Sequence, residues 1–207
     1  GRLDDIQIPA GASADAEAEA GRGRCAARVY EPARRTRYRA VPFAPETIGR
    51  PGNACPTFSP DGGTAVFVKT GVGLVETRRL QGRWSEAEPL PFSGADFRDG
   101  DPFLSPDGRR LLFRSTRPAS NGGMATGSSD VWVAERRADG WSAPRRLGPP
   151  LNDGTGEPFP AMAADGTLYF GSLRTGGRGE ADLYRARPSA DGYSEPENLG
   201  VTVNSPA

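Results

Sequence analysis

Pro102-Phe103-Leu104-Ser105-Pro106-Asp107-Gly108-Arg109-Arg110-Leu111-Leu112-Phe113 is two short apolar runs broken by a Ser-Pro-Asp-Gly turn. Asp-Gly between such runs predicts a tight antiparallel hairpin, because glycine reaches the positive φ that the turn needs. The same arrangement stands upstream as Pro56-Thr57-Phe58-Ser59-Pro60-Asp61-Gly62, running on to Phe67. It stands downstream as Pro160-Ala161-Met162-Ala163-Ala164-Asp165-Gly166, running on to Phe170. A polar residue precedes each Asp by eight positions: Asn53, Asp99 and Glu157. A second break follows in every unit, as Gly82-Arg83-Trp84-Ser85, Asp139-Gly140-Trp141-Ser142 and Asp191-Gly192-Tyr193-Ser194. A leucine lies six residues beyond each aromatic: Leu90, Leu147 and Leu199.

Two turns per unit imply four strands. In the second unit these are expected near 102–105, 111–115, 131–135 and 141–147. In the third they are expected near 160–163, 168–172, 183–186 and 193–199. The spacing is 46 residues from Asp61 to Asp107 and 58 from Asp107 to Asp165. The difference falls between strands two and three. Repeated four-stranded antiparallel units of 40–50 residues are the pattern of β-propeller blades. The fold class read from this is all-β, a β-propeller of four-stranded antiparallel blades, partial, with about three to four blades. Residues 1–27 read as an irregular, low-complexity segment and 28–207 as blades: a half blade over 28–52, then blades over about 53–98, 99–152 and 153–204.

Composition agrees. The 207 residues include 28 Gly and 20 Pro, which interrupt any long helix. Hydrophobic residues are 36%, and no run approaches the ~20 apolar residues of a membrane helix, so no membrane insertion is expected. The 26 basic and 26 acidic groups cancel, which argues against nucleic acid as a partner. Histidine is absent, so the chain cannot by itself build a Ser-His-Asp triad or a His-ligated zinc site. The residues therefore predict no enzyme, no cofactor and no metal. The chain begins at Gly1, which reads as a mature or excised piece with any leader outside it. Cys25 and Cys55 are equally compatible with a disulfide and with two free thiols.

The motifs Pro56-Thr57-Phe58-Ser59-Pro60-Asp61-Gly62, Pro102-Phe103-Leu104-Ser105-Pro106-Asp107-Gly108, and Asp165-Gly166-Thr167-Leu168-Tyr169-Phe170 with Ser172-Leu173-Arg174 and Asp182-Leu183-Tyr184 resemble the WD-like, PD-type propeller repeats of TolB-like proteins. The resemblance covers about 53–204. It implies a propeller, a periplasmic or secreted location and a scaffold or receptor role. The first unit departs from it: Gly73 stands where the others have Asp130 and Asp182.

Strand parity puts the loop before each first strand and the loop between strands two and three at one end of the blades, with the Asp-Gly turns at the other. Asn53, Asp99, Asp101, Arg117, Asp130, Glu157, Arg174 and Asp182 are thus the candidate binding residues, grouped on one rim. A turn-organising role competes for Asp130 and Asp182, since Asp hydrogen-bonds local backbone readily. Calcium at Asp96, Asp99 and Asp101 lacks the spaced EF-hand ligands. Glycoside hydrolysis lacks a distinguishable acid and base. The repeated Ser85, Ser142 and Ser194 have no base to activate them, and Trp84, Trp141 and Tyr193 fit packing between blades better than sugar stacking. The function expected is a non-catalytic scaffold that binds a protein or envelope-associated partner. The alternatives are a substrate gate for a larger hydrolase and a carbohydrate-binding or carbohydrate-active propeller.

Overall fold

The computed structural model describes residues 43–94, 96–118 and 129–206. The 1–27 segment, most of the 28–52 half blade and Cys25 lie outside them. Residues 43–52 are turn and bend. All regular structure is antiparallel strand, and the described residues contain no helix.

The first blade comprises β1 (Asn53–Phe58), β2 (Thr64–Lys69), β3 (Gly73–Leu80), β4 (Arg83–Trp84) and β5 (Glu88–Pro89). The second comprises β6 (Gly100–Leu104), β7 (Arg110–Ser115), β8 (Asp130–Arg137), β9 (Gly140–Trp141) and β10 (Arg145–Arg146). The third comprises β11 (Ala161–Met162), β12 (Leu168–Ser172), β13 (Asp182–Ala186), β14 (Pro188–Ser189), β15 (Gly192–Tyr193) and β16 (Glu197–Asn198). Strands run first–second–third–fourth across each blade.

Gly62, Gly108 and Gly166 adopt φ of +65°, +68° and +85° in the first turns, the left-handed region the sequence reading required. Asp61, Asp107 and Asp165 each accept the amide two residues on, at 2.9 Å. Ser59 and Ser105 brace the turn further by accepting the amides of Thr64 and Arg110. These carboxyls lie below their usual range, held there by Ser59 for Asp61, by Ser105 for Asp107 and by the Thr167 amide for Asp165.

The fourth strand departs from expectation. Over 141–147 and 193–199 it is two short pieces rather than one. The repeated serine is the reason. Ser142 accepts the Glu135 amide at 3.0 Å and donates to the Ala143 carbonyl, and Ser85 and Ser194 do the same for their own units. A hydroxyl that satisfies both a donor and an acceptor lets the strand bulge without orphaned backbone groups.

Register makes the repeats superimposable. Phe67 pairs with Val75, Phe113 with Trp132 and Phe170 with Tyr184. One step away, Ala65 pairs with Thr77, Leu111 with Ala134 and Leu168 with Ala186. Because side chains alternate along a strand, these residues form one face of each blade and Val66, Leu112 and Tyr169 the other. The faces meet in series. Val66, Leu74 and Leu90 of the first blade pack on Leu111, Phe113 and Trp132 of the second. Leu112, Val131 and Val133 of the second pack on Leu168, Phe170 and Tyr184 of the third. Phe113 and Phe170 each face the preceding blade, and Phe67 faces Ile48 in the equivalent place. Nearly all of these side chains are under 5% exposed, so the core lies between the sheets. Each large side chain so buried contributes about 1.5–3 kcal/mol. Radially stacked four-stranded sheets with a core between neighbours constitute a partial β-propeller.

Candidate functional site

The charged residues grouped on one end are drawn together, but into the junctions between blades. Asp99 and Arg117 are both buried. The Arg117 guanidinium donates to both Asp99 oxygens at 2.8 and 2.9 Å, to Ser115 Oγ at 2.9 Å and to the Phe92 carbonyl of the first blade at 3.3 Å. Phe92, Phe97, Phe113 and Trp132 surround it within 5.8 Å. Its charge is satisfied on every side, which is the condition for burying an arginine.

The next junction repeats the design with a longer acid. Arg174 binds Ser172 Oγ at 3.0 Å and the Leu151 carbonyl at 2.8 Å, over the rings of Phe170 and Tyr184. Glu157 is fully buried, yet its nearest oxygen is 3.7 Å from Arg174, and Oε2 has no hydrogen-bond partner. Burial, with Asp153 and Asp130 close by, pushes the Glu157 carboxyl up to about 8. Asp153 is held down despite its own burial, by the hydroxyl and amide of Thr155 and by Glu157. At the corresponding place in the first blade, the Asn53 amide donates to the carbonyls of Thr47 and Ile48.

Asp130 and Asp182 are buried strand-end residues. Asp130 takes both nitrogens of Arg146, at 2.6 and 3.1 Å, and Asp182 accepts from Asn198 and the Arg178 amide. Cross-strand register places Gly73 opposite Lys69 as Asp130 is opposite Ser115, and Pro89 where Arg146 and Asn198 stand. The first blade therefore lacks both the acid and its partner.

Asp99, Arg117, Asp130, Glu157 and Asp182 are thus turned inward, contrary to their expected place on a solvent-facing surface. The expectation treated loop charge as exposed charge. Asp99, Arg117, Asp130 and Asp182 instead meet complementary groups across a blade or junction, while Glu157 is buried with one oxygen unpartnered.

Asp101 behaves differently, and with it come residues the sequence reading passed over. Cys55, Asp101 and Phe159 precede the repeated prolines Pro56, Pro102 and Pro160 at the same offset in each unit. All three adopt left-handed φ, of +51°, +48° and +56°. Such backbone costs on the order of 1–3 kcal/mol in a non-glycine residue and clusters at functional positions. In the first two blades, strand pairing slips at this point, between Ala54 and Thr57 and between Gly100 and Phe103. The three positions converge on the shared inner edge of the blades. Asp101 receives the Cys55 thiol at 3.8 Å and the Phe159 amide at 3.3 Å, and it pairs with Arg114 at 2.6 Å. Burial, and then Asp101, raise the Cys55 thiol above its ordinary value, so it is a poor nucleophile. Cys55 is exposed, and Phe159 is 65% exposed in spite of its size. The sequence signal was the proline that follows each. The three unlike side chains hid their common backbone.

Two of the recurring aromatics, Trp141 and Tyr193, lie between blades. Trp141 donates to Glu76 of the first blade at 2.9 Å, and Arg136 covers its ring at 4.0 Å while also pairing with Glu76. Trp84 meets Phe43 and Phe58. Tyr193 lines a cleft of about 740 Å³ between the turn ends of the second and third blades, with Arg110, Arg145 and Met162. Four carboxylates, Asp107, Glu135, Asp165 and Asp191, share that cleft, so it has no single-sign character. Among the described residues no three Cys, Asp or Glu side chains are grouped to hold a metal ion.

The arrangement defines a class, a propeller built of interlocked blades with a strained inner edge. Among solved structures, TolB from Acinetobacter baumannii is similar, with a TM-score of 0.50 at 19% identity, over 74% of this chain and 34% of that one. The likeness establishes a TolB-like propeller fold, and this chain spans about a third of that structure's length. No family model matches the chain, and no curated protein matches it.

Proposed function

We propose that the chain is a non-catalytic propeller scaffold of the WD-like, PD-type repeat kind. It engages a protein or envelope-associated partner at the inner edge of the blades, outside the cytoplasm. The observation that supports this reading is the triplet Cys55, Asp101 and Phe159. Each blade holds one left-handed residue followed by proline at the same place, and each brings a different side chain there: an exposed thiol, a carboxylate paired with Arg114 and an exposed aromatic. Aromatic residues, phenylalanine among them, are enriched at protein interfaces. The absence of histidine from the sequence supports the non-catalytic part. The repeats' resemblance to those of envelope proteins supports the compartment. Trp141, occupied by Glu76 and Arg136, leaves little ring face for a sugar.

Partner capture tests this. Phe159→Asp and Asp101→Asn together are expected to abolish recovery of the partner that the wild-type protein retains from an envelope extract. Folding should be checked by thermal melting in parallel. Undiminished capture by a folded double variant would refute the inner-edge assignment.

A further inference from the structure

The two junctions close differently at their turn ends. Between the first and second blades, Glu76 accepts the Trp141 indole N–H at 2.9 Å and pairs with Arg136 at 2.9 Å and Arg78 at 3.1 Å. Arg136 lies over the Trp141 ring. One carboxylate thus clamps the first blade to an aromatic and a guanidinium of the second.

Register gives the counterparts of this clamp between the second and third blades. Glu76 pairs with Val66 as Val133 pairs with Leu112. Arg136 pairs with Trp141 as Pro188 pairs with Tyr193. Carboxylate, guanidinium and indole become Val133, Pro188 and Tyr193, so no clamp forms, and the cleft of about 740 Å³ lies beside Tyr193. Two arginines of the second blade line it. Arg145 stands opposite Val133 where Glu88 stands opposite Glu76, and Arg110 occupies the register of Thr64. Neither arginine forms an ion pair among the described residues. The Arg110 side chain crosses the junction to the Met162 sulfur at 3.7 Å. Burial raises the Tyr193 hydroxyl above its ordinary value, and the charges that oppose this are Arg110 and Arg145. Of the four carboxylates in the lining, Asp107 and Asp165 are engaged by their own turns. Glu135 and Asp191 remain as acceptors.

We propose that this cleft binds an acidic side chain of a peptide, whose carboxylate fills the role that Glu76 plays at the other junction. It accepts from the Tyr193 hydroxyl and from Arg110 and Arg145, a donor set complementary to a carboxylate. Leu147 and Met162 receive the methylenes, and Glu135 and Asp191 accept the peptide's amides. The site is separate from the inner-edge triplet, since none of Cys55, Asp101 and Phe159 lines the cleft.

NMR titration of the protein carrying isotope-labelled tyrosine tests the proposal, with the Tyr193 ring resonance assigned through Tyr193→Phe. The probes are a capped glycine–glutamate–glycine tripeptide, its glutamine counterpart, and propionate as a free carboxylate. The glutamate peptide is expected to shift the Tyr193 resonance saturably, with a Kd below about 10 mM. The glutamine peptide and propionate should each bind at least about tenfold more weakly. Arg110→Gln and Arg145→Gln, both at exposed positions, should leave Tm unchanged and weaken the glutamate peptide about tenfold each. Arg79→Gln, at an exposed arginine outside the cleft, should not weaken it. Each of three results overturns the proposal: no saturable shift, equal binding of the glutamine peptide or of propionate, or arginine variants that bind the glutamate peptide as the wild type does.

Discussion

Glu157→Gln is expected to stabilise the protein at neutral pH, against the general rule that replacing a buried group weakens a fold. Glu157 is sealed from solvent, one of its oxygens is unpartnered, and its carboxyl is raised to about 8. In the unfolded chain the same group ionises near 4.5. A carboxyl whose folded value lies above its unfolded value favours the folded state fully only below the lower one. Between about 4.5 and 8 the unfolded chain sheds a proton that the folded protein keeps, so stability falls by about 1.4 kcal/mol per pH unit. At pH 7 the accumulated cost is about 3 kcal/mol. Glutamine has nearly the same shape and no proton to lose, so it escapes this cost. Urea unfolding followed by the fluorescence of Trp84, Trp132 and Trp141 should give equal midpoints for both proteins at pH 4. By pH 7 the variant should lead by about 3 kcal/mol, or roughly 6–12 °C in Tm for a domain of this size. The lead should stop growing above pH 8. A variant no more stable than wild type at pH 7, or a lead independent of pH, would refute the reasoning, because Glu157 would then be charged and paired in the fold.

Arg117→Lys is expected to cost about 2–4 kcal/mol in chemical denaturation, since one ammonium cannot serve both Asp99 oxygens, Ser115 and the Phe92 carbonyl together. A double-mutant cycle of Glu76→Gln with Trp141→Phe should return a coupling of about 1–2 kcal/mol for the bond between them. Burial raises the Glu76 carboxyl, but Arg136, Trp141 and Arg78 outweigh it and hold the group below its ordinary value. That coupling should therefore fade as pH falls below about 4.5. Phe159→Asn should leave Tm unchanged or raise it by a few degrees, because asparagine tolerates the left-handed backbone that phenylalanine resists. A fall of more than about 5 °C would mean that the Phe159 ring is packed rather than displayed.

The blades were legible because their punctuation is backbone chemistry. Asp-Gly turns at 61–62, 107–108 and 165–166 and the alternation that ends in Phe67, Phe113 and Phe170 depend on residue type alone, and all occur where the pattern placed them. The gap at Gly73 was legible too, although Pro89, its matching loss, emerged only through cross-strand register. Burial of charge was not. Arg117 lies 18 residues from Asp99, and the four rings around it come from 92, 97, 113 and 132, a convergence that no local window contains. Arg174 and Glu157 look like the same pair one repeat later, and the 3.7 Å that separates them is visible only in three dimensions. The bulge at Ser85, Ser142 and Ser194 escaped for the opposite reason. Its signal was plain, but serine was weighed as a nucleophile rather than as a hydrogen-bonding bridge for two backbone groups.

Internal repetition also separates scaffold from function in a single chain. Where three units place the same chemistry at the same register, the chemistry serves the fold: turn aspartates, bulge serines and the phenylalanines between blades. Where they keep the backbone and change the side chain, the fold has left the position free. Glu76, Val133 and Arg185 occupy one such register, but there the junctions explain the choices, since Glu76 meets Arg136 and Trp141, and Val133 meets the third blade's apolar face. Cys55, Asp101 and Phe159 share one backbone and differ in side chain: Asp101 is held by Arg114, the Cys55 thiol and the Phe159 amide, while Phe159 stays 65% exposed. Their backbone is strained in the same way three times over, and a strain kept at three places serves the geometry of the inner edge rather than any one side chain. The side chains on that edge are free to differ, which is why the proposed partner contact is assigned to the inner edge rather than to the charged loops.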